Sequence, residues 1–336
     1  MTDHAKINLT SSEIAYLWKL YMFETLNRCI LHYFLATVED TDIQMLIQTK
    51  LEAKEKRIQK IISFYKQEGI PTPLGYTDRD VNIKAPRLFT DVLMAQYIYF
   101  MAKAGIEQYE LGMFSSPRSD IRQYFYESLT YFAEIQNKIM DVLLEKGIFT
   151  RAPYIPYPQQ VDFVKEQSYL TGWFGERRPL HAIQITHLFL NMKSNAVGKE
   201  LLIGFSQTVK SEDIRKYMLH GKNITSKLME EFSSILKDDE ISVPTFEGLG
   251  VTESKEAPFS DKLMLSLIIF LNSYAVSVYG LSLAESTRRD LFAHYTKIIA
   301  EIGIYAEDGI NLMIKYGYME EPPKAPDREE LASRKE

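Results

Sequence analysis

Phe89-Thr90-Asp91-Val92-Leu93-Met94 returns 170 residues later as Phe259-Ser260-Asp261-Lys262-Leu263-Met264. The same ungapped register pairs Ile98 with Ile268, Phe100 with Phe270, Tyr109 with Tyr279, Leu111 with Leu281, Arg118 with Arg288, Asp120 with Asp290, Gly147 with Gly317 and Pro153 with Pro323. Upstream, an offset of 171 pairs Leu9 with Leu180, Ile14 with Ile185, Leu17 with Leu188, Val38 with Val209 and Asp42-Ile43 with Asp213-Ile214. A period of half the chain marks a duplicated domain, not a solenoid of short units.

Length agrees with duplication, since 336 residues exceed one ordinary core and suit two domains of about 150 residues. The join falls between residues 148 and 180. Hydrophobic content of 46% and charged content of 25% place the chain with globular proteins. A net charge of −6, with no basic run beyond Lys54-Glu55-Lys56-Arg57, argues against a nucleic-acid partner. A single cysteine, Cys29, excludes a disulfide framework and a cysteine-based metal cluster, and its apolar neighbours predict a buried thiol. The N-terminus lacks a signal pattern. The most apolar stretch, Leu263 to Leu271, is short and broken by Ser266, so the expectation is a cytoplasmic protein without a transmembrane segment.

Each half reads as four long helices. The first four run from Leu9 to Leu35, from the Glu39-Asp40-Thr41-Asp42 turn to Lys66, from Phe89 to Met113, and from the Ser115–Asp120 turn to Lys146-Gly147. Thr10-Ser11-Ser12-Glu13 supplies a cap for the first. The second half repeats the plan at 180–207, 213–238, 259–283 and 287–316. No segment alternates with period two, so the class is all-α.

The connections decide the topology. Between helices two and three lie about 20 residues in each half, 69–88 and 239–258, with glycines and prolines that forbid helix. A segment of that length can run ~60 Å, enough to travel the length of a helix and let helices two and three lie parallel. Short, long, short is the loop pattern of a ferritin-like bundle. The expected architecture is therefore two tandem ferritin-like four-helix bundles with long crossover loops, at 1–147 and 180–320. A Pro- and aromatic-rich linker (148–179) is expected to pack between them, and a charged tail (321–336) to fray.

Di-iron bundles place a Glu on each of two helices and a Glu-x-x-His pair on each of the other two. That signature is absent: the residues three before His4, His32, His181, His187, His220 and His294 are Met1, Cys29, Arg178, Gln184, Tyr217 and Leu291. Two degenerate sites remain as candidates. Glu24 shares an apolar stripe with Leu17, Leu20 and Leu31, and Glu55 shares one with Ile47, Leu51, Ile58 and Ile62, at the same depth. Two facing carboxylates need a cation, a shared proton or a basic partner. The alternative is pairing with Lys54 or Lys56. In the second half His187, Glu231 and His294 fall at one depth, a set that would suit iron, manganese or zinc. The alternative there is a hydrogen-bonded polar cluster. No phosphate-cradling loop, nucleophile elbow or dinucleotide fingerprint occurs.

Four stretches carry a family resemblance: Gly172-Trp173-Phe174-Gly175-Glu176-Arg177-Arg178-Pro179-Leu180, Ile185-Thr186-His187-Leu188-Phe189, Pro258-Phe259-Ser260-Asp261-Lys262-Leu263-Met264 and Arg288-Arg289-Asp290-Leu291. They resemble a two-repeat family of Bacillus and related spore-forming Firmicutes, placed with the ferritin-like superfamily and akin to spore coat F-like proteins. The resemblance implies the double bundle and no established activity. The expectation is a structural or binding protein, cytoplasmic or spore-associated, partnered by its own copy or a spore component. The rival is a metal-binding protein or oxidoreductase, and a third reading is a carrier of an apolar ligand in a cavity between helices.

Overall fold

Residues 7–173 and 177–333 are described by a computed structural model. Four long helices form the first half: α1 (Ser11–Thr37), α2 (Thr41–Glu68), α3 (Asp91–Ser115) and α4 (Ser119–Glu145). Their counterparts are α5 (Ala182–Thr208), α6 (Glu212–Asp238), α7 (Asp261–Ala284) and α8 (Arg289–Lys315), starting 171, 171, 170 and 170 residues later. A short α9 (Arg328–Ser333) ends the described chain, and its N-terminal Met1–Lys6, His4 included, lies outside the described residues. No β-strand occurs among the described residues, and the molecule is two tandem helical bundles.

Capping fixes the helix ends as their side chains require. Thr10 accepts from the Glu13 amide (3.4 Å), while the Glu13 carboxylate accepts from the Thr10 amide (2.8 Å), a reciprocal box that satisfies two otherwise orphaned donors. Asp91, in the first turn of α3, accepts from the Glu39 and Asp40 amides just ahead of α2 (3.2 and 2.9 Å). Asp261 does the same for Lys210 and Ser211 (3.0 and 2.8 Å). Helices two and three of each half thus begin at the same end and run parallel, which the long crossovers make possible. At the other end buried Arg118 grips Asp120 and Glu68, and buried Arg288 grips Asp290 and Asp239.

The crossovers also join the halves. Val81 bridges Phe259 and Phe89 bridges Val251, both antiparallel, and the two pairs exchange under the 170-residue offset. Flanking bonds obey the same exchange: Asn82 N to Pro258 O and Thr252 N to Leu88 O, each 2.8 Å. Such reciprocity is the mark of a two-fold axis, here a pseudo-two-fold within one chain. Around it Phe34, Phe89, Phe205 and Phe259 pack edge to face, with neighbouring ring centroids 6.0–6.2 Å apart. All four are buried, and a single core runs through both halves. Helices α1, α3, α5 and α7 are apolar around most of their circumference; α1, α3 and α5 form its interior, α7 enters it mainly by its N-terminal part, and α2, α4, α6 and α8 carry one apolar stripe each and face solvent.

Two features differ from the sequence reading. The linker does not pack between the bundles: only its ends are held, Phe149 in the core and Arg178 on Tyr169 O, Gln184 and Thr287. Tyr154, Tyr157 and Phe163 are more than 80% exposed. Pro153, Pro156 and Pro158 remove backbone donors and hold the chain extended, so it finds no fit on the seam, which the crossovers already fill. Phe174, Gly175 and Glu176 lie outside the described residues. In addition α7 as a whole is long and apolar enough, by length and composition, to cross a membrane, with 39% of its most apolar window buried.

Phe89→Ala would open the shared centre and is expected to cost about 3–5 kcal/mol. Urea unfolding followed by circular dichroism should show one transition for wild type and variant alike; two separated transitions would mean that the halves fold independently.

Candidate functional site

Glu24, on the inward face of α1, is fully buried among helices of the first bundle. Its Oε1 accepts from Arg57 Nε (2.9 Å) and Tyr109 OH (2.8 Å), and its Oε2 takes the Lys54 ammonium. Burial alone would raise its pKa, but the charges and hydrogen bonds of Arg57 and Lys54 outweigh that and hold it at about 2. Burial in turn pulls Lys54 down to about 8, against the opposing pull of Glu24.

The structure turns α2 by one position from the sequence reading. Lys50, Lys54, Arg57, Ile58 and Ile61 face inward, whereas Glu55 is 44% exposed and its Oε1 lies 3.7 Å from Arg28. Glu24 and Glu55 therefore do not form a carboxylate pair. Two cations, Lys54 and Arg57, converge on one carboxylate instead. Lys50 makes no hydrogen bond or ion pair among the described residues; its nitrogen sits 5.3 Å from the centre of the Phe132 ring, and burial with the neighbouring Lys54 and Arg57 charges drives its pKa well below the lysine range. A divalent metal would meet a net positive environment here, the opposite of what binding requires.

The second bundle has rewritten these positions. Glu24, Lys50, Lys54 and Arg57 are replaced, at an offset of 171, by Asn195, Gly221, Thr225 and Leu228. Tyr279, the counterpart of Tyr109, still meets the residue at the Glu24 position, but now accepts, from Asn195 Nδ2 (2.7 Å). Asn191 Nδ2 reaches Ser282 (3.1 Å) and Tyr295 (3.3 Å), completing a neutral network. The Tyr305 ring fills the space above Gly221, where a Cβ would clash with its hydroxyl at 2.1 Å.

The remaining candidates fall into two pairs. His187 Nε2 lies 2.6 Å from Glu285 Oε2 at the end of α7. His294 Nε2 is 3.8 Å from Glu231, is buried without a hydrogen bond, and burial lowers its pKa against the pull of Glu231. Among the described residues no three His, Cys, Asp or Glu side chains gather as a metal would need, so His187, Glu231 and His294 do not form one set. Cys29 is buried, and burial pushes its thiol up to about 12.

Sequence reasoning offered a cavity between helices without placing it. A cleft of about 230 Å³ opens between α1 of the first half and α7 and α8 of the second, and one of about 90 Å³ lies beside Asn191, Asn195 and Thr225. The unburied flank of α7 lines both, through Ile269 and Phe270 in the larger and Leu271 and Val278 in the smaller. The one available signal was the apolar excess of that helix over the needs of a packed core.

The family model described as protein of unknown function (DUF3231) matches residues 1–161 and 168–331. No curated protein matches the chain. A crystal structure of a "putative spore coat protein" from Bacillus halodurans is similar with a TM-score of 0.40 and 17% identity, over 48% of this chain and 100% of its own.

Two substitutions test the buried charges. Glu24→Gln leaves Lys54 and Arg57 without their anion and is expected to cost about 3–5 kcal/mol at pH 7. Because the folded pKa of Glu24 lies below its ordinary 4.5, its contribution is present above pH 4.5 and drains away as pH falls toward 2. Urea titrations between pH 7 and 3 should show that loss in wild type and not in Glu24→Gln. Lys50→Met, which swaps a buried amine without a hydrogen-bond partner for an apolar chain of similar length, should stabilise by about 1–3 kcal/mol in the same assay at pH 7.

Proposed function

We propose that this chain, which belongs to the DUF3231 family and carries the family's domain twice, is a ferritin-like double bundle with a structural and binding role in a spore-forming bacterium. Its place is the cytoplasm or the developing spore, and its partner is a second copy or a spore component. The ferritin-like assignment rests on the short, long, short connections and the parallel second and third helices. The bundles 1–147 and 180–320 act as one rigid body, with 148–179 as the segment that meets the partner and 321–336 as a charged tail.

One observation carries the binding role. Tyr154, Tyr157, Val161, Phe163 and Val164 stand exposed in a row along the linker, and a run of uncovered large apolar groups is a contact surface. Rigid aromatic side chains lose little entropy on binding, and prolines hold the backbone extended beforehand. The metal reading receives no comparable support: Glu24 is already neutralised from two sides, and His294 has a single carboxylate nearby.

The test uses the combined variant Tyr154→Ser/Tyr157→Ser/Phe163→Ser. Its melting temperature should match wild type, because these rings make no core contacts. Sedimentation velocity and spore fractionation in a spore-forming host should show wild type self-associated or retained with spores, and the variant monomeric and released. Equal behaviour of the two proteins would overturn the role of the linker. Stoichiometric iron, manganese or zinc in protein purified without chelator, lost in His294→Ala, would replace this reading with the metal-binding one.

A further inference from the structure

The pseudo-two-fold gives the α1–α7 cleft a twin on the α3–α5 seam, and the twin is closed. Met22, Leu26 and Tyr76 of the open cleft correspond to Lys193, Val197 and Phe246 around the closed one. Around Lys193 the α3–α5 seam retains a void of about 10 Å³, and about 90 Å³ lies farther along the same two helices beside Phe100 and Val197, against about 230 Å³ in the open cleft. Its plug is Lys193, 1% exposed, whose four-carbon stem carries an ammonium 4.2 Å from the ring centres of both Tyr99 and Phe149. In the open cleft the plug is the shorter Met22, and the two ring positions hold Ile269 and Met319. The same place in the fold thus accepts an alkyl chain in one half and is left wide in the other. The open version lacks the two rings that hold the Lys193 ammonium, and its lining is mostly apolar.

Two polar groups lie on the lining of the open cleft without a partner. Gln108 is buried and its Oε1 has no hydrogen-bond donor; turned over, the same amide presents an N–H. Lys19 is exposed and makes no ion pair or hydrogen bond among the described residues. Glu320, the acid on the lining, is held by the amides of Leu74 (2.9 Å) and Gly75 (3.1 Å). An ammonium and an amide N–H are together the donors that a carboxylate accepts from.

We infer that the α1–α7 cleft binds a medium-chain fatty-acid anion, its alkyl chain between Met22, Ile269 and Met319 and its carboxylate at Lys19 and Gln108. The cleft exceeds the ~150 Å³ apolar cavity that admits benzene and falls short of the ~300 Å³ at which pockets for drug-sized ligands begin. A slim chain with its head near the surface fits that window. This binding is independent of the linker's role, and the failure of either leaves the other standing.

Calorimetric titration of the full chain with decanoate, decanol and decyltrimethylammonium tests it. Decanoate should bind at one site and raise the melting temperature, decanol should bind about fivefold more weakly, and the cationic probe should not compete. Lys19→Ala should weaken decanoate about fivefold and leave decanol unchanged. The triple variant Met22→Lys/Ile269→Tyr/Met319→Phe copies the closed seam and should abolish both; if its melting curve shows misfolding, Ile269→Trp, which fills the cleft, takes its place. No decanoate binding by wild type, preference for the cationic probe, or full binding by the cleft-filling variants would overturn the site.

Discussion

Everything in this molecule hangs on the antiparallel contact between its two crossover segments. Long connections are entropically awkward and rarely lie idle. Here each lets two helices run parallel within its own half and then supplies backbone donors and acceptors to the other half. The Val81–Phe259 and Phe89–Val251 bridges place Phe89 and Phe259 on the pseudo-axis, where they meet Phe34 and Phe205. Four buried rings at the centre make the two bundles a single hydrophobic body. Duplication alone would give two beads on a string.

Around that axis the halves have drifted in one physical respect, the means of filling the middle of each bundle. The first half uses charge: Glu24 held by Arg57, Lys54 and Tyr109, with the buried Lys50 amine beside them against the Phe132 ring. Such an arrangement specifies a register because each partner stranded alone would be costly, while its net contribution to stability is small. The second half uses neutral amides and hydroxyls, and fills the lost volume with Tyr305 above Gly221. Where neither solution reaches, space remains, and α7 borders it on both sides. At the Lys193 end of the α3–α5 seam the gap is filled, with Lys193 drawn between two rings.

The Arg118/Asp120 and Arg288/Asp290 pairs were visible as a repeat. Their third members, Glu68 and Asp239, were not visible: they come from a different helix and differ in residue type, although they occupy equivalent places. The same holds for the core of the first bundle. Glu24 stood out as an acid on an apolar stripe. Lys54 was the named alternative partner and is the one found on Glu24; Lys50 and Arg57 were not seen, because charged residues on a helix are read as its wet face. The linker misled in the other direction, since aromatic and proline content reads as packing material whether or not a surface exists to receive it.

Sequence by itself determined the duplication, the eight long helices with their ends, and the order of short and long connections, for a definite reason. Caps, glycine and proline stops, and apolar periodicity act through neighbours a few residues away, so the chain carries them locally. Only the tertiary structure decided how the halves face each other, which charges go inside, and which seam closes and which stays open. Those outcomes depend on volumes and partners brought together from residues 30 to 180 positions apart, as Lys54 is from Glu24 and Ser260 from Asp80. No local pattern encodes the sum of side-chain volumes on two helices that meet only after folding.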